Sequence, residues 1–212
     1  MNNIRTTIIA TVLALPMLAT VNAATASVCK ELTNAAGSNI VGFIDPVVCN
    51  TDPSIKQLVN SNQFPDVSYL GLCYVSRGAI NVLWGTKELT VKTASAWTDS
   101  SSTFGVPVIF PPTTPPSLYG VGYIGTVATQ WAISDSEGKD LGIIYTRDTI
   151  NLGENLATAG SEDDVIIGGS KLFEGAKGTI KLRSVQQQSG SVEVGTLGGK
   201  LCINSQDQDK NH

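Results

Sequence analysis

The chain has 212 residues with 14 Lys and Arg against 18 Asp and Glu, a formal net charge of −4 and no basic cluster, which argues against nucleic acid and anionic membranes as partners. Charged residues make up only 15%, while 21 residues are Gly and 9 are Pro, a balance that favours short strands and many turns over long salt-laced helices. The one histidine is His212, the last residue, so the Ser-His-Asp and Cys-His classes of catalysis lack the positioned imidazole they need.

The chain opens MNNIRTTIIATVLALPMLATVNAATA. Arg5, an apolar stretch from Ile8 to Ala19 and then small residues follow the order of a secretory signal. Val21-Asn22-Ala23 places cleavage after Ala23, with Ala26 the alternative, so residues 1–23 read as a signal peptide and the protein as secreted or periplasmic. Pro16 interrupts the apolar run, which is shorter than the ~20 residues of a spanning helix. No later segment is long and apolar enough, so no integral membrane span is expected. Loss of Arg5 moves the formal charge from −4 to −5 and leaves enough chain for one domain with a sizeable core.

All four cysteines, Cys29, Cys49, Cys73 and Cys202, follow the signal. An even count in an exported chain reads as two disulfides with three possible pairings. The favoured one joins Cys29 to Cys49, clipping an N-terminal segment, and Cys73 to Cys202, tying the first core strand to the last. Without a Cys-x-x-Cys spacing or an internal histidine, no metal is expected.

Residues 24–66 read as an irregular lead-in packed on the main domain, with one short helix. Asp52-Pro53 supplies an N-cap and a proline at the first helical position, and Ile55, Leu58 and Val59 recur at helical spacing. From Val67 the period is two. Leu89, Val91, Thr93, Ser95 and Trp97 share one face of a strand, and Glu88, Thr90, Lys92, Ala94 and Ala96 the other. Between Leu118 and Ile133 large residues at odd positions alternate with small ones, among them Gly120 and Gly122, as suits a curved wall. Ser136-Glu137-Gly138-Lys139 reads as a hairpin turn and Leu141 to Ile150 as the returning strand. Val165–Gly168, Ala176–Val185 and Gly195–Ile203 complete a β domain over 67–203. Residues 105–117 carry five of the nine prolines and read as an extended loop. The polar tail, 204–212, reads as disordered. There is no internal repeat and no second domain.

Few residues suggest chemistry. No GxxxxGK[ST] P-loop is present, and no nucleotide cofactor is expected. Asp135, Glu137 and Asp140 resemble part of a calcium loop, but Lys139 stands where an oxygen ligand belongs and the closing glutamate is missing, so a plain turn is preferred. Glu162-Asp163-Asp164 reads as a solvated loop. Leu141, Ile143, Tyr145 and Arg147 share a face by spacing. If that face points inward, Tyr145 and Arg147 could clamp a ligand carboxylate or oxyanion; the plainer reading has Arg147 at a strand end, reaching water. Tyr119, Tyr123 and Trp131 are the remaining pocket candidates, though such aromatics more commonly fill a core.

The segment Val165 to Leu182, VIIGGSKLFEGAKGTIKL, resembles the C-terminal part of the allene oxide cyclase family. Gly168, Gly169, Ser170, Phe173, Glu174, Gly175, Ala176, Gly178, Lys181 and Leu182 stand in matching places. The related dirigent proteins carry a similar glycine-rich turn. The resemblance implies a closed, antiparallel eight-stranded barrel, all-β apart from the short N-terminal helix and lead-in. It implies an apolar lumen holding a small hydrophobic ligand, whose ring closure or coupling is steered without a cofactor. The family's catalytic side chains lie on early strands where no motif aligns, so none is carried over and enzymatic activity stays open. The matched residues are read as structural. The alternative is a non-enzymatic surface, structural or interaction protein with a filled barrel. Oligomeric state is not legible.

Overall fold

Period-two alternation predicts a curved sheet, and in a computed structural model the chain closes that sheet on itself. The structure describes residues 27–35, 41–65, 67–102, 123–152, 160–188 and 191–205. The signal segment, Tyr119 and the proline-rich stretch 105–117 therefore lie outside the described residues. The elements are β1 (Ser27–Asn34), β2 (Gly42–Val48), α1 (Pro53–Val59), β3 (Leu72–Ser76), β4 (Ile80–Trp84), β5 (Lys87–Ser102), β6 (Tyr123–Asp135), β7 (Asp140–Leu152), β8 (Gly160–Gly169), β9 (Lys177–Gln188), β10 (Ser191–Val194) and β11 (Thr196–Asn204).

Eight strands, β5-β4-β1-β11-β9-β8-β7-β6, form an antiparallel barrel that closes through β5–β6. The five strands β5 to β9 are tall, and the gap between β5 and β9 is bridged twice. In a lower tier β5 pairs with β4 over Lys87–Val91, and β9 pairs with β11 over Lys177–Arg183, with β1 between β4 and β11. In an upper tier β5 pairs with β3 over Ala94–Ala96, and β9 pairs with β10 over Gln186–Gln188, with β2 between β3 and β10. Residues 27–34 and 42–48 are thus strands of the wall, not an irregular lead-in. Asn204, placed in the tail by its polarity, is the last residue of β11.

The lower lumen is apolar and packed. Every strand of that ring contributes to one core, including Leu32, Trp84, Val91, Trp131, Ile144, Ile166, Ile180 and Leu201. The void among Leu32, Val91, Trp131, Ile144 and Leu201 measures about 10 Å³, room for one water. A second core lies outside the barrel, where Ile55, Leu58 and Phe64 cover the outer faces of β5, β6 and β7 at Ala94, Ala96, Ala128 and Tyr145. The helix forms as its sequence predicts: Asp52 accepts from Ser54 N at 2.8 Å and Ile55 N at 3.2 Å, and Pro53 leads the first turn. An N-cap of this kind contributes about 1 kcal/mol.

The disulfides are Cys29–Cys202 and Cys49–Cys73, which corrects the favoured pairing. The reason is topological. Because residues 27–34 form β1 beside β11, Cys29 stands directly opposite Cys202. Cys49 follows β2 at the point where Val47 faces Cys73 on β3, and Cys73 is buried beneath α1. Two disulfides are the mark of an oxidising environment. Among the described residues no helix is long and apolar enough to cross a membrane.

The segment carrying the family resemblance closes the lower end. Phe173, in a 3-10 turn over Lys171–Phe173, is fully buried in the lower core. Gly178 holds φ +139°, and a Cβ there would overlap the Lys200 carbonyl oxygen across the β9–β11 pair, so glycine is required for the close approach. At the β6–β7 hairpin Asp135 accepts from Glu137 N at 3.1 Å and Lys139 N at 2.8 Å, while Asp140 pairs with Lys171 Nζ at 2.6 Å. These acids are engaged in a turn and a surface ion pair, which is the plain-turn reading.

Candidate functional site

The upper lumen differs from the lower in carrying buried carboxyls beside the apolar pair Trp97 and Val127, and β7 and β8 supply them. On β7 the pairing shifts between Ile133↔Gly142 and Ser134↔Asp140, leaving Leu141 as an extra residue. A bulge of one residue reverses which side chains face inward thereafter. Leu141 and Ile144 both join the lumen core, while Ile143 and Tyr145 pack in the outer cluster under α1. The period-two grouping of Leu141 with Tyr145 and Arg147 fails for this reason. Tyr145 meets Phe64 edge-on at 6.2 Å, and the exposed Arg147 guanidinium lies 6.0 Å from the same ring. Neither faces the lumen, so no inward clamp exists, and Arg147 reaches water. Trp131 does line the lumen, its indole N–H donating to Thr146 Oγ1 at 3.2 Å. Of Tyr123 the structure describes only its place at the start of β6.

Inward positions after the bulge are Ile144, Thr146 and Asp148. Asp148 stands directly opposite Asp164 on β8, and Glu162 lies two residues before Asp164 on the same face. On β8 burial alternates through Glu162, Asp164 and Ile166. The Glu162-Asp163-Asp164 run is therefore strand and not solvated loop. Only Asp163 points outward, where Arg183 Nη2 meets it at 2.8 Å. Asp148, Glu162 and Asp164 are 2%, 8% and 1% exposed, and an oxygen from each lies within 4.8 Å of the others.

Among the described residues no ion pair joins any of the three. Both carboxyl oxygens of Asp148 and both of Asp164 are buried without a hydrogen-bond donor. Thr129 and Thr146 flank Asp148 and favour its ionised form, but the Thr129 hydroxyl is taken up by Ser95 Oγ at 2.8 Å and that of Thr146 turns to the Thr129 carbonyl at 3.5 Å. Burial outweighs them and pushes Asp148 up to about 7. Burial raises Glu162 and Asp164 well above the usual carboxylate range, and the neighbouring acids raise them further; Arg183 only partly opposes this at Asp164. Three ionised carboxylates this close repel by roughly 3 kcal/mol per pair at an effective dielectric near 20. Tyr74, on the inward face of β3, is likewise raised by burial to about 12 and stays a neutral hydroxyl.

Sequence reasoning missed Glu162 and Asp164 because their charge was read as exposure, and Asp148 because the bulge at Leu141 hides its inward parity. The usable signal was the parity of Glu162 and Asp164 with Ile166 on β8. Chemically, such a cluster can share protons, act as a buried acid, or hold a positively charged ligand. Comparison with protein-family models, with curated proteins and with solved structures returned no match.

Proposed function

We propose that the protein is an exported binding barrel, with the packed lower lumen serving as scaffold and the acid-bearing upper lumen holding a small ligand. The observation that carries this reading is the convergence of three buried carboxyls, four of whose oxygens have no donor. Leaving such groups buried costs several kcal/mol, and a barrel needing only to pack would place apolar side chains there, as it does at Ile144 and Ile166. Export is supported by the two disulfides and the signal-like N-terminus. The small hydrophobic ligand implied by the cyclase resemblance gains support from the closed barrel. It has little room in the lower tier, and any such molecule would have to lie in the upper one.

Native mass spectrometry of the mature, oxidised protein, as isolated and after incubation with a total lipid extract, tests the reading. The expected result is a stoichiometric adduct that persists in Arg147→Ala and disappears in Asp148→Asn. An unliganded mass throughout would overturn it. That outcome would favour the second reading, a filled barrel serving as a surface or interaction protein, for which the 10 Å³ void in the lower core already speaks.

A further inference from the structure

We propose that Asp148, Glu162 and Asp164 form a binding site for a hard divalent cation, calcium foremost; this rests on the reading of the upper lumen as a ligand site and names its occupant. Three features of the cluster point to a cation rather than to a polar organic molecule.

The first is spacing. Oxygens on opposite sides of a calcium ion stand about 4.8 Å apart, so three carboxyl oxygens all within 4.8 Å of one another are within reach of one coordination sphere. The second is the lack of partners. Both oxygens of Asp148, 2% exposed, and both of Asp164, 1% exposed, receive no donor, and the two residues face each other directly across β7 and β8. The nearest cationic side chain on the adjoining strands, Arg183, is directed outward to Asp163 and to the Glu162 carbonyl oxygen at 3.0 Å. Among the described residues no ion pair brings a cationic side chain onto the three acids. The third is donor type. The cluster is all oxygen, with no sulfur or imidazole, and the hydroxyls of Thr129 and Thr146 adjoin Asp148. Hard oxygen donors suit calcium or magnesium and not the zinc-type sites excluded by the cysteines and histidine. A buried cradle spread over two strands favours calcium, which tolerates irregular geometry, over magnesium, which demands a regular octahedron and retains its waters.

The test uses the mature, oxidised protein stripped with a chelator and then titrated with calcium chloride by calorimetry. Terbium chloride is followed in parallel by luminescence excited through tryptophan. Trp131, bonded to Thr146 beside Asp148, and the buried Trp97, packed with Val127, are the local antennae. The expected result is one site per chain, terbium emission displaced by calcium, and affinity weakened on the order of 100-fold or more in Asp148→Asn and Asp164→Asn. Asp135→Asn, in the β6–β7 turn, should leave binding unchanged. Circular dichroism and disulfide mapping establish that each variant is folded, and Glu162→Gln provides a third substitution if one of the others is not. Calcium uptake unaltered in the folded triad variants, or lost only in Asp135→Asn, would overturn the proposal. No uptake of either ion by the folded wild type would also overturn it. If an organic adduct is then seen and is lost in Asp148→Asn, the upper-lumen reading survives without the cation; if no adduct of any kind is seen, both fall.

Discussion

With divalent ions chelated, raising the pH from 5 to 8 should destabilise this protein, the reverse of the behaviour of a barrel whose carboxylates are ion-paired. Burial lifts Asp148 from its ordinary 3.8 to about 7 in the folded chain. Between those values the native state holds a proton that the unfolded state has lost. Stability contributed by that proton is fully present below pH ~4 and is lost as pH rises through the folded value. Three units at about 1.4 kcal/mol each give on the order of 4 kcal/mol for Asp148 over the whole span, of which the two units between pH 5 and 7 carry about 3 kcal/mol. Glu162 and Asp164 are raised by the same burial and by neighbouring acids, so they act in the same direction and add to the loss. Asp140, lowered by its bond to Lys171, pulls the other way but is solvent-exposed and contributes little. Urea unfolding followed by tryptophan fluorescence reads the effect, since Trp84, Trp97 and Trp131 are all buried. With a slope near 2 kcal/mol per molar, a loss of about 3 kcal/mol moves the midpoint down by about 1.5 M. Asp148→Asn should flatten the dependence. A midpoint that rises from pH 5 to 7.5 in the wild type would refute the claim that the triad is buried and unpartnered.

Three further outcomes follow from the fold. Leu201→Ala, at a fully buried position in the lower core, should cost about 2–5 kcal/mol by thermal or urea denaturation. Gly178→Ala forces a side chain onto φ +139° against the Lys200 carbonyl, so a loss of at least about 1–3 kcal/mol is expected; unchanged stability would contradict the β9–β11 register. Non-reducing peptide mapping should recover Cys29 with Cys202 and Cys49 with Cys73. The two loops span 173 and 24 residues, so removing the first pair should cost up to about 5 kcal/mol and the second up to about 3.5.

The parts of this fold that were legible in the sequence share one property: their local pattern and their environment agree. Asp52-Pro53 with Ile55 and Leu58 gives a capped helix with one buried face, and α1 is that helix. The alternation from Leu89 to Trp97 was read correctly, and its second face, Ala94 and Ala96, is small because α1 packs over it. The β6–β7 turn was equally plain. β1 was not, because Lys30 interrupts its alternation and the strand is held chiefly by pairing to β11, 173 residues away at the cysteines. The mistaken disulfide pairing is a direct consequence, since a cysteine in an unrecognised strand has no visible partner.

The candidate site was hidden by two different mechanisms, and they bear on how such sites can be found. On β7 the obstacle was backbone: Leu141 is an extra residue, and no side-chain pattern announces the reversal it causes, so parity counted from Leu141 groups Tyr145 and Arg147 with it and passes over Asp148. On β8 the pattern was intact and the obstacle was chemical. Stepping back by two from Ile166 reaches Asp164 and then Glu162, and the structure buries all three. Assigning charged residues to solvent before assigning strand parity discards such positions, although a functional lumen is where inward charge is expected. Parity read first, with charge allowed to fall inside, leaves Asp164 and Glu162 as violations of the apolar pattern in an otherwise regular strand. Those violations are the only part of the site that one strand's sequence could have disclosed; their convergence with Asp148 required the barrel.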